Sequence, residues 1–128
     1  MALKNGVWTG PILDNHFHLN PEGRYLDAAR DFHRAGGTHL VLIHCPNFAN
    51  PPTTPDAHLE AYSTTCETAQ KVREKVGLDV RVVLGPHPAA FVHQFEKWVE
   101  EKGDSGVEQA IENYWTSIDI AMNFIHEN

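Results

Sequence analysis

Apolar and polar positions alternate along Pro11-Ile12-Leu13-Asp14-Asn15-His16-Phe17-His18-Leu19, the period of an extended strand over about residues 11–18. Residues two apart share a face, so strict alternation places Asp14, His16 and His18 on one side. Leu13, Asn15, Phe17 and Leu19 fall on the other. The turn residues Asn20-Pro21-Glu22-Gly23 follow, and the spacing of Leu26, Ala29, Phe32 and His33 predicts a helix over about 24–35. Gly36-Gly37 stops that helix. His39 to Cys45 is a continuous apolar run, the pattern of a parallel strand covered on both faces.

Pro46 to Pro55 holds four prolines and reads as a loop leaving the C-terminal end of the second strand. Leu59, Tyr62, Ala69, Val72 and Val76 predict a helix over about 56–75, ended by Gly77. A third strand spans about 79–84, and Gly85-Pro86-His87-Pro88 breaks it. A third helix is expected over about 89–102. Ser105-Gly106-Val107-Glu108 has the form of a capping box and starts a fourth. Its expected apolar face is Val107, Ile111, Tyr114 or Trp115, Ile118, Met122 and Ile125. Residues 1–10 read as a loose lead-in, with Val7 and Trp8 as packing residues.

The order is therefore βαβαβαα, an α/β chain with about three parallel strands. In such folds ligands sit beyond the C-terminal ends of the strands. That rule singles out His16 and His18, His44 and Cys45, and His87. Two imidazoles about 7 Å apart along one strand can converge on a single divalent cation. The carboxylate of Asp14 is placed to be a further ligand or to fix a tautomer. His44 reads as a satisfied strand-end histidine, and His33, His58, His93 and His126 as ordinary helix residues.

Composition narrows the classes. The 128 residues suit one domain, and the formal charge of −7 argues against a broad electrostatic footprint on nucleic acid or an anionic membrane. A phosphate-bearing substrate stays compatible, because bound cations supply local positive charge. No apolar run has the length of a membrane span, and no signal peptide is visible. Cys45 and Cys66 lie far apart without a Cys-x-x-Cys pattern, so a reduced, cytoplasmic chain is expected.

Asp14-x-His16-x-His18-Leu19, Ala35-Gly36-Gly37 before the second strand, and Gly85-x-His87-Pro88 after the third together resemble the TatD-like metal-dependent hydrolases of the amidohydrolase-type barrel superfamily. The resemblance runs through the whole chain but covers only the N-terminal portion of a family member. It implies a partial (β/α)8 TIM-type barrel that binds divalent metal ions (Zn, Mg or Mn) at its C-terminal rim. The implied reaction is hydrolysis of phosphodiester (nuclease-type) or related ester bonds by a metal-activated water. By the same resemblance His16 and His18 bind the first metal, His87 contacts the substrate phosphate, and Asp14 supports the pair. No residue of the chain is assigned as catalytic in its own right.

A complete barrel needs about 250 residues. The family's later ligands, a bridging Glu, two more histidines and an Asp, have no position here, and Glu100, Glu101 and Glu112 do not match the missing Glu by motif. Residues 1–128 are therefore expected to be the N-terminal half of such a barrel, completed by a missing C-terminal half or by a complementary chain. Alone it is expected to turn over little substrate, nucleic-acid ends included, and to self-associate through open strand edges. Two other readings stand beside this one. One is a non-catalytic metal-binding or interaction half-barrel that docks a partner. The other is a histidinol-phosphatase-like phosphoesterase or barrel amidohydrolase, which shares Asp-x-His-x-His but not Gly85-x-His87-Pro88.

Overall fold

Three short strands pair in the order β3 (Leu13–Phe17), β4 (His39–Ile43), β5 (Asp79–Val83), all parallel, in a computed structural model that describes residues 2–127. Four helices accompany them: α1 (Leu26–Arg34), α2 (Pro55–Lys75), α3 (Pro88–Lys102) and α4 (Asp104–Glu127). The predicted order βαβαβαα is thus observed, as a mixed α/β fold with an open sheet. The described residues form no closed barrel. β3 and β5 each pair with β4 alone, so both are edges.

The lead-in is not loose. Leu3–Lys4 (β1) and Val7–Trp8 (β2) pair antiparallel around Asn5-Gly6, both at positive φ (54° and 76°). That is the geometry of a two-residue hairpin turn, which an Asn-Gly pair accepts at little steric cost. Val7 and Trp8 are exposed rather than packed.

The chain divides into two compact units, each described by itself. The first contains residues 1–43 and 65–83. Its core is Leu40 and Leu42 of β4, Val80 of β5, Ala29 of α1, Ala69 and Val72 of α2, and Leu78. Phe17, Leu19, Leu26, Phe32, Val76 and Val82 pack around it. On β5 only one face is covered: Val80 is buried while Asp79, Arg81 and Val83 are exposed. The Arg73 guanidinium donates to the Val80 carbonyl at 2.6 and 3.2 Å, which occupies one acceptor on that outer strand. Helix α1 begins at Leu26, later than its periodicity predicts, because Tyr25 lies at φ 49°.

The second unit contains residues 44–64 and 84–128. It comprises the proline-rich loop, the first half of α2, and the pair α3 and α4 joined through Gly103. The capping box expected at Ser105 is not formed. Gly103, at φ 64°, reverses the chain in one residue, so α4 already starts at Asp104. The Ser105 hydroxyl instead donates back to the Lys102 carbonyl at 3.1 Å. The expected face of α4 is also corrected. Its buried residues are the small ones, Gly106, Ala110, Ser117 and Ala121, while Ile111, Trp115, Met122 and Ile125 are exposed. The cause is close approach. A Cβ on Gly106 would collide with the backbone carbonyl of Trp98 in α3, and large side chains would hold the two helices apart. Among the described residues, no helix is long and apolar enough to cross a membrane.

Candidate functional site

Strand β3 positions the histidine pair, but not by strict alternation. From Asp14 to Phe17 the strand advances three residues while its partner advances two, Leu40 to Leu42, so one extra residue is accommodated there. The Asp14 carboxylate accepts a hydrogen bond from the His16 backbone N–H at 2.9 Å, which occupies that donor with a side chain. The bulge resets the phase: Ile12 and Asp14 are half-buried, then Phe17 and Leu19, while His16 and His18 are exposed. Asp14 therefore does not share its face with the two histidines in the way that simple alternation predicts. Its hydrogen bond is to the His16 backbone, not to either imidazole ring.

His16 and His18 come together. Their Nε2 atoms are 3.1 Å apart, with the rings edge-on at 77° and centroids 4.9 Å apart. His18 Nδ1 lies 3.2 Å from the Ile43 carbonyl oxygen at the end of β4. A carbonyl only accepts, so His18 carries its proton on Nδ1 and presents a lone pair at Nε2. Two nitrogens at this separation are satisfied either by a shared proton or by a shared cation. With metal–nitrogen bonds of about 2.0–2.1 Å, nitrogens 3.1 Å apart subtend roughly 98° at the ion, within the range of distorted tetrahedral and octahedral sites. The pair therefore fits two positions of a divalent ion. Among the described residues no group of three or more His, Cys, Asp or Glu is placed to hold a metal.

His87 belongs to the second unit. It is the N-cap of α3, where its Nδ1 accepts from the Ala89 N–H at 3.1 Å, and Pro88 occupies the first helical position. Accepting at Nδ1 puts its proton on Nε2, which is then a donor. The Phe48 ring lies edge-on to it, with centroids 5.2 Å apart.

His87 also lines a cavity of roughly 40 Å³ together with His44, His58, Tyr62, Asn113 and four prolines. That is room for about two or three waters. His58 and Tyr62 lie one helical turn apart on α2, which brings both to this cavity. Asn113 ties its walls together. Its Nδ2 donates to the Pro52 carbonyl at 3.2 Å and to Gln94 Oε1 at 2.6 Å. Its Oδ1 must then accept from His58 Nε2, at 2.8 Å. The Tyr62 hydroxyl donates to the Ser117 carbonyl at 3.1 Å, and the His44 ring stands edge-on to Tyr62 with centroids 4.7 Å apart. Burial first, then repulsion from His58 and His87, pushes the His44 imidazole down from its ordinary 6.5 to about 4. His44 is therefore neutral at physiological pH.

No local pattern in the sequence marks His58, Asn113 or Gln94 as site residues. The one available signal is polarity out of place: three amide or imidazole side chains that the helical periodicity carries to the buried side. Cys45 and Cys66 are free thiols, and burial pushes both up from their ordinary range, so neither is an activated nucleophile. Compared with known proteins, the chain matches no family model, no curated protein and no solved structure.

Proposed function

We propose that this chain is the N-terminal part of a TatD-like metal-dependent hydrolase, acting on phosphodiester or related ester bonds. The observation that carries the reading is the approach of His16 Nε2 and His18 Nε2 to 3.1 Å at the end of a parallel strand. The tautomer of His18, held by the Ile43 carbonyl, supports it, because it leaves the Nε2 lone pair of that ring free for a metal. In this reading His16 and His18 hold a divalent ion (Zn, Mg or Mn), and the His87 Nε2–H donates to a substrate phosphate oxygen. A bound ion of this kind polarises a phosphoryl or acyl oxygen and lowers the pKa of a bound water. The remaining ligands come from further polypeptide, in the same chain or in a partner.

The experiment is metal titration of the purified chain by calorimetry or Co(II) absorption. His16→Ala and His18→Ala should each weaken binding by more than the roughly ten- to a hundredfold that loss of an outer-shell partner costs. Asp14→Asn should weaken it less. Unchanged stoichiometry and affinity in the double alanine variant would sink the proposal.

A non-catalytic metal-binding or interaction half-barrel is the second reading, favoured by the open sheet edges and the two-ligand set. Hydrolysis of an activated phosphodiester separates the two. Turnover that needs both His16 and the metal supports the hydrolase. Metal binding without turnover, even after a complementary barrel half is added, supports the module.

A further inference from the structure

Independently of the histidine sites, α4 carries a surface with a readable partner. Ile111, Trp115, Ile118, Met122 and Ile125 recur at intervals of four, three, four and three residues. At 100° per residue they fall within a narrow stripe, about 21 Å long. Four of the five are exposed, Trp115 at 60% and Met122 at 64%. One border of the stripe is the buried small-residue face of α4. The other is a row of exposed carboxylates: Glu108, Glu112 and Asp119 lie 60–100° round the helix from the stripe's centre. The whole of α4 contains no Lys and no Arg.

We propose that this stripe docks an amphipathic helix whose apolar face is flanked by Lys or Arg. The spacing is that of a helix–helix seam. The charge settles the choice of partner. A second copy of this chain would bring the same carboxylate row and no cation on α4 to offset it, and the chain's net charge is −7. An anionic lipid surface is disfavoured for the same reason. A basic-flanked helix meets Glu108, Glu112 and Asp119 with opposite charge while its apolar residues cover Trp115 and Met122.

The test uses the full 128-residue chain and two synthetic helical peptides. Both carry Leu and Ile at the seam positions; one has Lys at the flanking positions and the other Glu. Fluorescence anisotropy of the labelled peptides should show the Lys peptide binding at least roughly tenfold tighter, with the preference shrinking as salt rises. Trp115→Glu should abolish binding while far-ultraviolet circular dichroism stays unchanged, since the residue is exposed. The Glu112→Lys, Asp119→Lys variant should reverse the preference toward the Glu peptide. The proposal is overturned if neither peptide binds, if both bind equally, or if the charge-reversed variant keeps the original preference. Self-association of the chain that Trp115→Glu abolishes, or binding to phosphatidylserine vesicles through the same residue, overturns it in favour of those occupants.

Discussion

His44 ties the local chemistry of the second unit to pH. Its imidazole titrates near 4 in the folded chain and near 6.5 in the unfolded one, so folding favours the neutral form. Above about pH 6.5 both states are neutral and His44 has no effect on stability. As the pH falls from there, the unfolded chain takes up a proton that the folded chain refuses, and stability drops. The loss is complete below about pH 4, at roughly 3 kcal/mol. Urea unfolding at pH 7 and pH 4.5 checks this: His44→Gln should flatten the difference, and an unchanged pH slope in that variant would remove His44 as its source. Asn113 makes the second prediction at this scale. Asn113→Ala strands His58 Nε2–H, Gln94 Oε1 and the Pro52 carbonyl, and should cost about 2–4 kcal/mol in the same assay. Neither role was legible in the sequence. A hydrogen-bond partner 55 residues away, as Asn113 is to His58, leaves no local pattern.

Elements explain which readings held. The three strands of the parallel sheet and the four helices lie within a few residues of their predicted positions because apolar periodicity and Gly or Pro stops are local. Gly77, at φ 86°, ends α2 as a left-handed residue should. The errors arise where local rules compete with packing. On α4, hydrophobicity pointed to the large apolar residues, but helix proximity selected the small ones. Gly106→Ala tests that: alanine improves helix propensity by about 1 kcal/mol, yet its Cβ meets the Trp98 carbonyl. Overpacking of this kind costs about 1–3 kcal/mol, so a net loss of stability is expected. Stabilisation by the alanine would show that α3 and α4 are not held this close. On β3, the bulge at Asp14 came from a side-chain hydrogen bond that no alternation rule contains.

At the scale of the whole molecule, the open sheet has a consequence in solution. β3 and β5 each expose an unpaired edge, and Leu13 and Val83 lie exposed upon them. Sedimentation velocity should show a weight-average mass rising above 14.4 kDa with concentration. Leu13→Lys and Val83→Lys should suppress that rise, because charge on an edge strand opposes pairing. A monomer at every concentration would show that the edges are protected in some other way, Arg73 on the Val80 carbonyl being the available device.

The sequence by itself determined the order of the elements after the N-terminal hairpin, the parallel sense of the strands, and the shared face of His16 and His18. Each follows from periods and stops acting within a few residues, and from the right-handed connection that joins parallel strands. Only the tertiary structure decided which face of α4 is buried, where β3 shifts phase, and that His44, His58 and His87 line one cavity. Those outcomes depend on distances between segments far apart in the chain, and a linear pattern carries no information about such distances.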